Sequence, residues 1–404
     1  MPRVVLLGTL DTKGREYAFL RERLLEHAVD VTVVDAGIHD PVGLVPDISR
    51  GEVAGAAGAD VSALAAAGDR GAAVTAMAAG AERVVLDLAG RGMLDGILAL
   101  GGSGGSSIAA RAMRALPVGV PKLLVSTVAS GDTRPYVGAV DVTMMYSVVD
   151  ISGVNSVSAR IMANAAGAIA GMVGARVPPL DEKPLVAATM FGVTTPCVTR
   201  ARERLEELGY EVLVFHATGA GGQSMEALAK DGFLAGVLDA TTTELADELV
   251  GGVLSAGPDR LEAAGAIGLP QVVSLGALDM VNFGPRETVP PQFENRNLYV
   301  HNPTVTLMRT TPEECRELGR TIGRKLTAAT GPTALFVPLG GVSMIAVPGQ
   351  PFHDAQADDA LVAGLKETLA ESVEVHERPE DVNDPAFATA MADRLHELIE
   401  AGAA

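Results

Sequence analysis

The sequence predicts an α/β protein of two Rossmann-like, three-layer domains with mainly parallel sheets, related by an ancient duplication. Three observations predict it. Short β-branched apolar runs alternate with helical patterns, the arrangement that buries a parallel sheet under helices on both faces. The chain has 404 residues, which favours two cores over one. The opening strand–helix–strand unit also comes back: Arg21-Glu22-Arg23-Leu24 recurs as Arg202-Glu203-Arg204-Leu205. At the same offset, and without a gap, Val4-Val5-Leu6-Leu7 lies on Leu185-Val186-Ala187-Ala188 and Val31-Thr32-Val33-Val34 on Val212-Leu213-Val214-Phe215.

The repeat continues loosely. Asp95-Gly96-Ile97-Leu98 matches Ala235-Gly236-Val237-Leu238, and Pro121-Lys122-Leu123-Leu124 matches Pro270-Gln271-Val272-Val273. Residues 1–178 are expected to form the first domain and 184–404 the second, with 179–183 as a linker inside a proline-rich run. Within the first domain, 43–69 lacks strong periodicity and reads as a flexible excursion. A long helix follows over about 70–91, with Val74, Met77, Ala81, Val84, Val85 and Leu88 on its inner face. The apolar stretch 144–174 carries Asp150, Asn155, Arg160 and Asn164, so it reads as a buried strand–helix unit or a subunit contact and not as a membrane span. In the second domain 283–303, with four prolines, reads as an irregular loop. A strand at 334–337, a helix near 357–369 and a last helix from Pro385 complete the chain.

Composition narrows the function classes. Hydrophobic residues make up 48% and charged residues 20%, which suits a folded protein. Aromatics are 3% and Trp is absent, so Ala, Val, Leu and Gly must fill the core. A net charge of −19 with no basic stripe argues against nucleic acid as a partner, but leaves room for a nucleotide held by a few local donors. Cys197 and Cys315 are too few for a disulfide framework or a zinc site. The N-terminus lacks a signal peptide's pattern, so a cytoplasmic protein with no membrane partner is expected.

Chemistry concentrates where strands end. Ile97-Leu98-Ala99-Leu100 runs into Gly101-Gly102-Ser103-Gly104-Gly105-Ser106-Ser107 and then a helical pattern. Glycines let a backbone approach a ligand, and N–H groups at a helix start point at negative charge, so this loop is an anion seat. It has neither the GxxxxGK[ST] nor the GxGxxG spacing. Two further loops should meet it at the carboxyl edge of the sheet, where open α/β folds bind ligands. One is Gly8-Thr9-Leu10-Asp11-Thr12-Lys13, with Lys13 available to a phosphate; the other is Thr127 to Asp132, where Ser130, Gly131 and Asp132 could reach phosphate or Mg²⁺. Asp35 closes the second strand, where an acid often holds a ribose hydroxyl. Ordinary capping and solvated side chains are the plain alternatives.

At the repeat offset, Asp35 falls on His216, and Asp11 and Lys13 fall on Gly192 and Thr194. The second half therefore keeps the scaffold without the charged groups. Its own candidates are different. Cys197 sits at a helix start, where the dipole favours a thiolate, against the alternative of a buried structural thiol. His216 stands beside a second glycine-rich helix start, Gly219-Ala220-Gly221-Gly222-Gln223-Ser224, on a helix carrying Glu226. Thr194, Gly221, Gly222, Gln223 and Glu226 are the expected contacts of a small anionic substrate. His301 and His353 are loop histidines; if they converge with His216, acid–base work or metal binding follows.

Several of these segments together carry a resemblance. Gly8-Thr9-Leu10-Asp11-Thr12-Lys13-Gly14, the Gly101–Ser107 loop, Ser126-Thr127-Val128-Ala129-Ser130-Gly131-Asp132, Met190-Phe191-Gly192-Val193-Thr194-Thr195-Pro196-Cys197 and Pro348-Gly349-Gln350-Pro351-Phe352-His353-Asp354 match one family's pattern. The chain resembles the Tm-1-like ATP-binding family over essentially its whole length. That family has uncharacterised bacterial members and plant members that include the tomato inhibitor of viral RNA replication. The resemblance implies two α/β subdomains, ATP in the N-terminal one and a homodimer. The plant proteins' additional barrel-like domain is not expected in this chain, and viral inhibition is not carried over. The expected function is an ATP-dependent transfer or ligation in the interdomain cleft, with Mg²⁺ as a companion of the nucleotide. The alternatives are a metal- or histidine-dependent hydrolase or carbon–carbon lyase, and a non-catalytic nucleotide-responsive binding module.

Overall fold

A computed structural model describes residues 1–178 and 182–403, so most of the expected linker, 179–181, lies outside the described residues. The chain divides into two compact units, Met1–Pro179 and Leu180–Ala404. The first begins β1 (Arg3–Gly8), α1 (Leu10–Glu26) and β2 (Asp30–Asp35), followed by α2 (Arg50–Ala56), α3 (Val61–Ala67) and α4 (Arg70–Gly90). It continues β3 (Gly96–Gly101), α5 (Ser103–Arg114), β4 (Lys122–Ser126), α6 (Arg134–Val137), β5 (Thr143–Tyr146) and α7 (Ser156–Gly174). All five strands are parallel, in the order β2-β1-β3-β4-β5. One face buries α2, α4 and α5; the other buries α1 and α7.

The second unit runs β6 (Leu185–Met190), α8 (Thr195–Glu207), β7 (Glu211–His216), α9 (Ala220–Lys230), β8 (Gly236–Thr241), α10 (Glu244–Val250), α11 (Ala263–Ala266) and β9 (Gln271–Gly276). A three-stranded antiparallel sheet follows, from β10 (Met280–Phe283), β11 (Leu298–Asn302) and β12 (Val305–Arg309). The chain closes with α12 (Pro312–Thr327), β13 (Thr333–Pro338), α13 (Ala355–Thr368), β14 (Glu374–Arg378) and α14 (Pro385–Ala403). The large sheet is parallel, ordered β14-β13-β9-β8-β6-β7. Apart from the added edge strand β14, it repeats the first sheet's order of second, first, third, fourth and fifth strand.

Strand pairing corrects the repeat at one point. Val4 sits opposite both Val31 and Gly96, whereas Val186 sits opposite both Val212 and Gly236. Val4 therefore corresponds to Val186, not Leu185, while the second strands keep the original offset. The loop after the first strand is one residue shorter in the second unit, so the ungapped reading fails in that loop.

Two segments expected to be irregular are ordered. Ser49 and Glu52 close a capping box that starts α2, and Asp60 and Asp69 accept from Ala63 and Ala72 to start α3 and α4. In 283–303 the prolines support two 3₁₀ turns, Arg286–Thr288 and Pro291–Phe293, before β11 forms. Helix α7 is long and apolar enough to cross a membrane by length and composition. Met162, Ala165, Ala166 and Ile169 on one of its faces pack in the core with Tyr17 and Leu20 of α1.

Candidate functional site

A cavity of about 570 Å³ opens at the carboxyl edge of the first sheet. Two of the three loops expected from sequence supply its polar wall: Thr9, Asp11, Thr12 and Lys13 after β1, and Gly101 to Gly105 after β3. Helices α1 and α5 both start here, and neither N-cap, Thr9 or Gly102, makes a side-chain capping bond. The first N–H groups of a helix have no partner within it, so the α5 start presents donors and the positive end of a helix dipole. At α1, by contrast, the Leu10 N–H already donates to Asp35 and the Thr12 and Lys13 N–H groups to the Thr9 carbonyl. Gly101 packs tightly on the next helix: a Cβ there would stand 3.0 Å from the Gly105 Cα. The opposite wall is α4, where Ala73, Val74 and Met77 give an apolar surface.

Other side chains hold this edge in place. The buried Tyr17 hydroxyl donates to the Leu7 carbonyl at 2.5 Å and accepts from the Leu100 N–H at 2.8 Å, tying β1 to β3 just before their loops. Burial raises its pKa. A Cβ on Gly8 would strike the Tyr17 ring, so Gly8 serves this approach and does not line the cavity. Asp11 Oδ2 accepts from the Ile38 and His39 N–H groups, each at 3.1 Å, and its Oδ1 is buried without a partner. Lys13 donates to the Ile151 carbonyl while lining the cavity.

Asp35 stands elsewhere. It is fully buried, and Oδ1 accepts from Leu10 N–H at 3.1 Å and Gly37 N–H at 2.9 Å, which fixes the turns after β1 and β2. Burial raises its pKa. It does not line the cavity, so the structure assigns it support of the site and not ribose contact. Ser106 is likewise buried and bonded to Ser126 Oγ at 2.6 Å. Thr127 lies beside Gly102, 3.8 Å from where a Cβ would be. Ser130, Gly131 and Asp132 are exposed and outside the cavity wall; Arg134 pairs with Asp132 and holds its carboxyl down at about 2.

The second unit overturns most of its expected contacts. Its glycine-rich helix start already holds an anion, the chain's own Glu244, whose Oε1 accepts from Gly219 N–H at 2.7 Å and Gly222 N–H at 3.1 Å. Its Oε2 accepts from Arg260 at 2.7 Å. Arg260 is buried and bidentate on Asp239. Glu226 accepts from the Leu261 and Ala263 N–H groups at 2.6 and 2.7 Å. Gly221 is a glycine because a Cβ would strike the His216 carbonyl. Thr194 is buried against Thr241, and Gln223 donates to Ala256. Internal bonding therefore occupies Thr194, Gly222 and Glu226 in this structure.

The reactive candidates change as well. Cys197 is fully buried, and burial pushes its thiol up to about 12, the reverse of an activated thiolate. Asn383 accepts from its N–H at the α8 start. His216 is exposed beside the Phe191 ring, His301 is exposed on β11, and His353 faces the Ala346 carbonyl at 3.1 Å. Among the described residues no group of three or more His, Cys, Asp or Glu side chains is placed to hold a metal ion.

Known proteins match both units. A model of the uncharacterised protein family UPF0261, N-terminal domain, matches residues 2–178, and the C-terminal domain model of that family matches 183–399. The chain belongs to the UPF0261 family. A UPF0261 protein of Clostridium tetani is 54% identical over 98% of this chain and 99% of its own. The ToMV resistance protein Tm-1(GCR237) of Solanum lycopersicum is 41% identical over 98% of this chain, which spans 56% of the tomato protein. The resemblance carried by the sequence motifs is thus borne out. Among solved structures, a UDP-N-acetylglucosamine 2-epimerase aligns over 92% of this chain and 91% of its own at 10% identity, with a TM-score of 0.24. A likeness that slight carries no argument about the fold or its ligand.

In this UPF0261 chain several of the cavity residues that sequence reasoning missed come from the segment read as flexible and from the helix after it. Arg70, at the first turn of α4, lines the cavity with Asp69 and Gly68. His39 and Asp150 line it too. The signal for Arg70 was present: Asp69 caps the long helix, which puts the next residue at its mouth.

Proposed function

We propose that this protein binds ATP in the cavity of its N-terminal unit and acts as a nucleotide-responsive module. One observation carries the reading: the α5 start without a side-chain cap, the first turn of α1 with Lys13, and an apolar wall on α4 meet around one cavity of about 570 Å³. The α5 start suits phosphates and the wall at Val74 and Met77 suits a base. The family resemblance supports ATP as the nucleotide. Asp11 Oδ1, buried without a partner, and the Asp150 carboxylate are hard oxygen donors that fit Mg²⁺, which would supply charge neutralisation to the phosphates.

The module reading is favoured over transfer to an anionic substrate because Glu244 fills the helix start at which that substrate was expected. Calorimetric titration tests the nucleotide. A Cβ on Gly104 would stand 3.5 Å from Arg70 and 3.8 Å from Val74, an ordinary contact, but the branched side chain of Gly104→Val crowds the cavity between α4 and α5. The variant should fold and lose about tenfold or more in ATP affinity, which is ~1.4 kcal/mol. Unchanged affinity overturns the reading. Steady ADP release by the wild-type protein would restore the enzyme.

A further inference from the structure

We propose that Arg70 is the residue by which the cavity reads phosphate charge, so that affinity depends on the number of phosphates on the ligand. The inference takes the cavity as the ligand site and rests on the nucleotide reading only for the nucleoside part of the ligand.

Three observations place Arg70 in that role. Its Nη2 lies 3.5 Å from the Cβ position of Gly104, so the guanidinium covers the first turn of α5. Among the described residues no carboxylate pairs with it, although Arg50, Arg111 and Arg134 in the same unit each hold one. A cation set against the positive end of a helix, itself without a side-chain cap, is an unfavourable pairing unless an anion joins them. The same face of α4 carries Ala73, Val74 and Met77 at helical spacing, so one helix presents a planar cation at the cavity mouth and an apolar surface deeper in. Guanidinium geometry matches two phosphate oxygens at once, which a solvated arginine elsewhere on the surface would not exploit. Lys13, by contrast, already donates to the Ile151 carbonyl.

The test titrates wild type, Arg70→Gln, Arg70→Lys and the control Arg160→Gln with inorganic tripolyphosphate, ATP and adenosine. Arg160 is exposed on α7 and outside the cavity, so its variant changes net charge alone. Arg70 is itself exposed, and its variants should melt like wild type. Expected is a loss of about ten- to hundredfold in tripolyphosphate and ATP affinity for Arg70→Gln, partial recovery in Arg70→Lys, and unchanged adenosine binding. Arg160→Gln should match wild type. The proposal is overturned if Arg70→Gln binds tripolyphosphate as wild type does, if adenosine binding falls in parallel, or if the wild-type protein binds no tripolyphosphate. Loss of tripolyphosphate in Arg70→Gln, together with a wild type that gains nothing from the adenosine of ATP, supports the role of Arg70 and sinks the nucleotide reading alone.

Discussion

Asp247 accepts from the Asn282 and Leu254 N–H groups through Oδ1, at 3.0 and 3.2 Å, and from the Asn282 side-chain amide through Oδ2 at 2.6 Å. Burial, with Glu244 nearby, nevertheless raises its pKa from 3.8 to about 7. A carboxyl whose folded pKa is raised binds its proton more tightly in the folded chain. Its contribution to stability is complete below about pH 4 and is lost as pH rises through 7. Asp279, raised by burial to about 6, acts in the same direction. Asp247→Asn removes the ionisation, and Asn282 can turn its amide to meet it because Asn282 Oδ1 has no partner. Urea unfolding should find the variant gaining about 1–3 kcal/mol on wild type between pH 5 and pH 8. A gap between the two proteins that is the same at both pH values would mean that Asp247 is not protonated in the native chain. None of this was legible in the sequence, because a carboxyl in the first turn of a short helix reads as solvated until its neighbours are known.

At the scale of elements, what was legible followed the strength of the pattern. Helix α4 spans Arg70–Gly90 as its periodicity required, since a 21-residue helix repeats its apolar face many times. Helices α2 and α3 have seven residues each, and Gly and Ala in them blur any face. Their caps were the readable signal, Ser49 with Glu52 and Asp60 before Val61, and caps outweigh periodicity in helices this short. Helix α3 buries no residue yet brings Ala65 to the cavity, so it is held chiefly by its caps and by its contacts with α2 and α4. The α2–α4 contact depends on Gly80, where a Cβ would strike the Val53 carbonyl. Gly80→Ala should therefore push α2 off α4 and cost about 1–3 kcal/mol, despite alanine's better helix propensity. Thermal or urea unfolding checks it; a variant as stable as wild type would show that the two helices adjust freely.

Across the whole molecule, one scaffold has been finished in two ways. Parallel strands buried on both faces are continuous apolar runs, so both sheets could be read from sequence, and Gly96 and Gly236 mark their third strands in register. The two anion seats could not be separated in the same way. A glycine-rich helix start looks alike whether its donors face a ligand or a side chain from another element. By strand register, Glu244 takes the place that Gly104 has in the first unit. Its carboxylate reaches across to Gly219 and Gly222, and Gly219 is fixed as glycine by a φ of +84° and by the nearby Ser255 carbonyl. If that start is an anion seat filled from within, removing the occupant should let a small anion replace it. Glu244→Ala leaves two buried N–H groups without a partner, at about 1–3 kcal/mol each, and takes one of its carboxylates from the buried Arg260. Formate, small enough to enter, should then raise the melting temperature of the variant more than that of wild type, with a dependence on concentration that saturates. Sodium chloride at matched ionic strength controls for screening. Equal responses of variant and wild type to formate would show that the Gly219 and Gly222 donors do not form a seat, and that Glu244 is retained for Arg260 alone.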